Sequence, residues 1–94
     1  MKALIWTPAF KRAYKRLIRR RPDLKDKIEN ALKQLASDAY HPSLHTHKLK
    51  GDLAGSWACT VDFEYRIVFE FVKEAESLDE IILLETVGTH EDVY

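Results

Sequence analysis

The sequence predicts an α+β domain: a mostly antiparallel sheet, packed on one face by an N-terminal helical hairpin, in the order β-α-α-β-β-β. Three observations predict it. Apolar residues recur at helical spacing twice, at Phe10, Ala13, Tyr14, Leu17 and Ile18 and again at Leu24, Ile28, Ala31, Leu32 and Leu35. Trp57, Cys59 and Val61 alternate with Ala58, Thr60 and Asp62, as in a strand with two different faces. Residues 80–87 form a nearly continuous apolar run, the mark of a central, well-buried strand.

The elements follow in order. Met1 to Trp6 is a short run rich in β-formers and reads as a first strand. Thr7-Pro8 starts a helix, with Thr as the N-cap and Pro at the first helical position. Arg21-Pro22-Asp23 ends it, because the residue before proline disfavours the α region. The second helix runs to about Ser37–Tyr40, ahead of His41-Pro42, and the short break between the two makes a helical hairpin. Residues 44–50 are extended or loop-like. Trp57 to Val61 is a strand, Asp62-Phe63-Glu64 turns the chain, and Tyr65 to Val72 is the next strand. Residues 74–79 are an acidic turn, and Gly88 to Tyr94 closes the chain as a loop or single turn. The hairpin covers one face of the sheet, so the other is left partly open to meet a ligand.

Ninety-four residues build one core, so residues 1–94 are one domain. A hydrophobic share of 46% is that of a folded protein rather than a disordered one. The single cysteine, Cys59, excludes an internal disulfide and suits a reducing compartment. No apolar run approaches the ~20 residues of a membrane span and the start has no signal-peptide pattern, so a cytoplasmic protein with no membrane partner is expected. Net charge is zero, but it is unevenly placed: 13 Lys and Arg against 4 Asp and Glu in residues 1–50, and 2 against 11 in residues 51–94. Such asymmetry points to a polyanion-binding face; the alternative is basic helices beside an acidic sheet edge. The first 22 residues hold no acid, so the first helix lacks the Glu–Lys pairs of a merely solvated one.

The chemistry concentrates in residues 45–71. His47, Asp52, Glu64 and Arg66 sit there among apolar residues, in a stretch where a purely structural hairpin needs none of them. His90 stands apart near the end. Four scattered histidines and one cysteine have no metal-ligand spacing, so neither a metal nor another cofactor is expected. His41 and His45 read as loop residues and Cys59 as a small apolar strand residue.

Taken in order, Leu49-Lys50-Gly51-Asp52-Leu53-Ala54-Gly55-Ser56-Trp57, Tyr65-Arg66-Ile67-Val68-Phe69 and Val87-Gly88-Thr89-His90 with terminal Tyr94 resemble the small toxins of bacterial toxin–antitoxin systems. The resemblance is to the RelE/ParE superfamily, nearest the YafQ, YoeB and RelE types, and covers essentially the whole chain. It implies a metal-independent endoribonuclease that cuts messenger RNA, usually in the ribosomal decoding site. In that chemistry the ribose 2′-OH attacks the adjacent phosphate and leaves a 2′,3′-cyclic phosphate. It needs a base, positive charge on the phosphate and an acid for the departing 5′-oxygen.

Carried over residue by residue, Arg66 matches the transition-state arginine of RelE- and YoeB-type toxins; a guanidinium stays charged and grips two phosphate oxygens. The alternative for Arg66 is an ion pair with Glu64 or Asp62. His90 matches the C-terminal histidine of the YafQ and YoeB types, and an imidazole with a reference pKa of about 6.5 can donate a proton near neutral pH. His47 falls on a YafQ-type histidine and Asp52 on the YoeB-type acid. Either can serve as the base, and the sequence does not choose between them. Glu64 keeps a carboxylate where the YafQ type has Asp. Lys48 and Lys50 flank the site as RNA contacts, and Tyr94 suits stacking on a base or, equally, capping the edge of the core. Lys11, Arg12, Lys15, Arg16, Arg19 and Arg20, with Arg21, suit ribosomal RNA phosphates.

Two departures stand out. Thr60 replaces a YafQ-type histidine, and Glu91 and Asp92 replace RelE-type cations before the terminal tyrosine. The partners implied are a cognate antitoxin, whose C-terminal segment wraps the toxin, together with the ribosome and mRNA; operator DNA is contacted mainly through the antitoxin. Two other readings compete. A ParE-like gyrase poison has no nuclease chemistry, but His47 with His90 favours the nuclease. An inactive, antitoxin-binding homologue is the second, and Thr60 leaves room for it.

Overall fold

Thr7 decides where the first helix begins. In the computed structural model, which describes residues 1–73, 76 and 80–93 (for 92 and 93 the backbone alone), its extended backbone caps helix α1, Pro8–Arg20. Its hydroxyl accepts from the Phe10 N–H at 3.1 Å and donates to the Leu84 carbonyl at 2.7 Å. One side chain thus caps the helix and ties it to the sheet. The chain enters through β1, Ala3–Trp6, two residues shorter than the predicted run. Helix α2, Leu24–Ser37, follows the break at Arg21-Pro22-Asp23.

The remaining elements are β2, His47–Lys48; β3, Trp57–Thr60; β4, Tyr65–Lys73; β5, Glu80–Thr89; and a short helix α3, His90–Val93. They form a five-stranded sheet in the order β1-β5-β4-β3-β2. Only β1 runs parallel to its neighbour, β5; the other pairs are antiparallel. The α+β expectation therefore holds, with three adjustments. Two residues of the stretch expected to be extended or loop-like form β2, an additional edge strand. Gly88 and Thr89, expected in a closing loop, continue β5, and His90 opens α3. Of the acidic turn at 74–79, residues 74, 75 and 77–79 lie outside the described residues, as does Tyr94.

The core lies between the helices and one face of the sheet. Leu24, Ile28, Ala31, Leu32 and Leu35 of α2 are all buried, and they meet Cys59, Ile67, Phe69, Ile82, Leu84 and Val87 of the sheet. From α1 only Phe10 is fully buried; Ala13, Tyr14, Leu17 and Ile18 pack at its margin. Trp6 stands edge-on to both Phe10 and Tyr14, so β1, α1 and the core share one aromatic contact.

Register sets the other face. Thr60, Arg66 and Gly88 form one cross-sheet row, and His47, Ala58, Val68 and Thr86 form the row beside it. Directly opposed residues project to the same side, so both rows belong to the face away from the helices. Glu85 is the extra residue where the β4–β5 register shifts, and its carboxylate accepts from the buried Ser56 hydroxyl at 2.8 Å. That face is only partly covered: Ile5 and Val72 are exposed, whereas Ala58 and Val68 are buried.

Candidate active site

Arg66 is half-buried, one residue into β4. Its Nη1 donates to three main-chain carbonyls of the preceding turn: Asp62 at 2.8 Å, Tyr65 at 3.1 Å and Phe63 at 3.3 Å. The expected alternative, an ion pair with Asp62 or Glu64, is not formed. A guanidinium has five N–H donors in a planar fork. With Nη1 turned into the carbonyls, the Nε–Nη2 edge keeps two parallel donors, the geometry that takes two oxygens of a phosphate.

The turn that holds Arg66 is itself fastened by Asp62. One carboxylate oxygen accepts from the backbone N–H groups of Glu64 (3.0 Å) and Tyr65 (3.1 Å); the other lies 3.6 Å from Lys27 Nζ on α2. The sequence places Asp62 in the Asp62-Phe63-Glu64 turn and offers it to Arg66 as an ion-pair partner; its bonds to the turn's own N–H groups are the role that reading misses. The signal was present, because an aspartate two residues ahead of a free N–H commonly closes such a turn through its side chain.

His90 arrives from the opposite strand. Thr89 pairs with Tyr65, and the His90 N–H donates to the Glu64 carbonyl at 3.2 Å. The ladder thus carries His90 beside Glu64, both exposed, at the end of the sheet where Arg66 lies. Phe63, Glu64, Thr89, His90 and Glu91 line a hollow of about 400 Å³ there.

His47 is exposed on β2, paired with Ala58. Its position is two strands across from Arg66 and one row along, so the two backbones are roughly 12 Å apart. Two long side chains can close most of that gap. Its Nδ1 lies 2.9 Å from the His45 carbonyl, which can only accept. Nδ1 is therefore the donor in that bond. Asp52 is placed differently. It sits in the 3₁₀ turn Gly51–Leu53, which Gly51 opens at φ +67°. That connection leaves the sheet at the Lys48–Trp57 pair, the end of β3 away from Arg66.

Thr60 faces Arg66 across β3 and β4, so the position that departs from the YafQ pattern belongs to the central row. Lys48 lays its ammonium over the Trp57 ring at 5.5 Å, and Lys50 is exposed. His41 accepts from the Ser43 N–H and caps the 3₁₀ turn Pro42–Leu44, a loop role as expected. Cys59 is buried, and burial pushes its thiol up to about 12. Among the described residues no three His, Cys, Asp or Glu side chains cluster to hold a metal ion.

The cations of α1 divide into two groups. Arg21, at the C-cap, is engaged: it grips both oxygens of Asp23 (3.1 and 2.9 Å) and donates to the Tyr65 hydroxyl at 3.3 Å. Those bonds hold Asp23 below the usual carboxylate range. Lys11, Arg12, Lys15, Arg16, Arg19 and Arg20 are exposed, and among the described residues none is within ion-pair distance of a carboxylate. Arg16 and Arg20 border a polar hollow with Thr86, Val87 and Gly88, so the basic face runs up to the row that contains Arg66.

The sequence matches, over residues 2–94, the model of the family described as bacterial toxin of type II toxin–antitoxin system, YafQ. No curated protein matches it. Among solved structures, YafQ from E. coli strain BL21(DE3) superposes with a TM-score of 0.79 at 14% identity, covering 100% of this chain and 99% of that one. A YoeB/ParE toxin from Agrobacterium tumefaciens gives 0.74 at 22% identity over 96% and 99%. The E. coli DinJ–YafQ toxin–antitoxin complex contains a chain matching at 0.76 and 15% identity over 99% of this chain and 97% of that one. At these identities the superpositions speak for the fold.

Proposed function

The chain belongs to the YafQ family of bacterial toxins of type II toxin–antitoxin systems, and on that premise we propose that it is an endoribonuclease that cleaves messenger RNA on the ribosome. The observation that carries this reading is Arg66, clasped by three carbonyls on one edge with its other edge left for a ligand, at the end of the sheet where the ladder brings His90 to Glu64. In the proposed reaction His47 takes the proton of a ribose 2′-OH. The oxygen attacks the adjacent phosphorus, Arg66 stabilises the charge gathering on the non-bridging oxygens, and His90 protonates the departing 5′-oxygen. The products are a 2′,3′-cyclic phosphate and a free 5′-hydroxyl. Glu64, beside His90, orients the imidazole. His47 is preferred to Asp52 because it shares a sheet face with Arg66, whereas Asp52 lies at the far end of β3.

Lys11, Arg12, Lys15, Arg16, Arg19 and Arg20 would bind ribosomal RNA, with Lys48 and Lys50 holding the message; the lack of carboxylate partners along α1 supports this. Tyr94 would stack on a base. A cognate antitoxin is the proposed protein partner, in line with the solved complex of YafQ with DinJ. One observation favours a second reading, an inactive homologue that only binds antitoxin: Thr60, in the central row, cannot exchange protons near neutral pH. Induction in a bacterium followed by mapping of messenger 5′ ends separates the two. New ends inside translated frames are expected, and His90→Gln or Arg66→Ala should remove them while antitoxin binding persists. Intact messages with the wild-type chain would overturn the nuclease.

A further inference from the structure

Phe63 is 92% exposed at the tip of the β3–β4 turn. Among the described residues its ring touches no other aromatic ring. Tyr40, the other exposed aromatic at 62%, is in contact with both Trp57 and Phe71 and so belongs to a packed cluster. A lone exposed apolar side chain is ordinary in itself. This one differs in what surrounds it. Its turn is fastened from both sides, by the Asp62 carboxylate to the Glu64 and Tyr65 N–H groups and by Lys27 to Asp62. Its own carbonyl accepts from Arg66 Nη1 at 3.3 Å. Its ring lines the hollow shared with Glu64, Thr89, His90 and Glu91.

We infer that Phe63 is a stacking platform for the unstacked base of the nucleotide whose phosphate Arg66 grips, a reading that rests on the RNA-cleaving function proposed above. Geometry and charge lead there together. A base is one sugar away from its own phosphate, and the ring belongs to the residue whose main-chain carbonyl accepts from the guanidinium. Phe63 offers that hollow an uncharged apolar wall, so the nucleotide presents its uncharged part, the base, to it. An aromatic face accepts any base, so the platform adds affinity and orientation with little sequence preference. Because the turn is already ordered, no loop has to be fixed when the base arrives. The platform also helps to splay the message, turning the 2′-OH toward the in-line position that the cleavage needs.

The test uses a message carrying 2-aminopurine next to a cut site blocked by a 2′-deoxy sugar, offered free and on programmed ribosomes. Stacking on Phe63 quenches 2-aminopurine fluorescence. The wild-type chain should quench it; Phe63→Ala and Phe63→Leu should not, and should bind the message roughly tenfold or more weakly. Phe63→Trp should restore both. Equal quenching by wild type and Phe63→Ala, or none by wild type in either format, overturns the platform. Weakened antitoxin binding as the sole effect of Phe63→Ala would assign the ring to the protein partner and overturn it too. An unblocked message run in parallel keeps the two proposals apart. Cleavage that is indifferent to Phe63 sinks the platform alone, whereas Phe63-dependent quenching without cleavage sinks the nuclease alone.

Discussion

Arg66 shows how a charged residue can be held without a charged partner. Three carbonyl oxygens fix one nitrogen of its guanidinium and leave the net positive charge unneutralised. A carboxylate in their place would hold the arginine as firmly but would compete with an incoming phosphate. This arrangement could not be read from the sequence, because carbonyl oxygens are common to every residue and leave no mark on composition. What could be read was the residue type, together with the placement of His47, Glu64 and His90; Asp62 was read only as a turn residue or a partner for Arg66, and Phe63 only as a turn residue. Cys59 makes a separate prediction. Its thiol is pushed up to about 12 in the folded chain by burial, against an ordinary value near 9. Its contribution to stability is therefore fully present below about pH 9 and is lost as pH rises toward 12, where the unfolded chain gives up the proton first. Alkylation of the native protein by iodoacetamide at pH 8 should be far slower than in denaturant. Equal rates would contradict the burial.

Among the elements, α1 depends most on a single side chain. Thr7→Ala removes both the cap to the Phe10 N–H and the bond to the Leu84 carbonyl, and should cost about 2 kcal/mol, lowering Tm by roughly 10 °C. Thr7→Ser keeps the hydroxyl and should recover most of the loss; thermal unfolding followed by circular dichroism checks both. The two helices and the strands β3, β4 and β5 were legible because each repeats a pattern over several residues. β2 was not, because two exposed residues carry no periodicity and its existence follows from pairing with β3 alone. The parallel partnership of β1 with β5 was hidden for a related reason. A strand's own residues encode which face is apolar but not which distant strand lies beside it.

Across the whole molecule the charge asymmetry of the sequence becomes a spatial one. The cations of α1, unpaired among the described residues, run along one flank and border Gly88 of the sheet. Reversal of Arg16, Arg19 and Arg20 to Glu should weaken ribosome binding. It should also lower the slope of log affinity against log salt by roughly 2 to 3, as expected for three lost phosphate contacts. Co-sedimentation across a salt series reads this directly, and an unchanged slope would remove α1 from the interface. The order of the strands has one more consequence, this time for timing. β5, made after the other described strands, lies between the first strand and β4, and both need it before they share a sheet. The nascent chain can form its helical hairpin early, but it cannot join β1 to the rest of the sheet until β5 has left the ribosome. Nor does His90 reach Glu64 before then. For the nuclease proposed above, the site is therefore assembled only after β5 has been made and has paired with β4, so the order of synthesis delays the chemistry behind the fold.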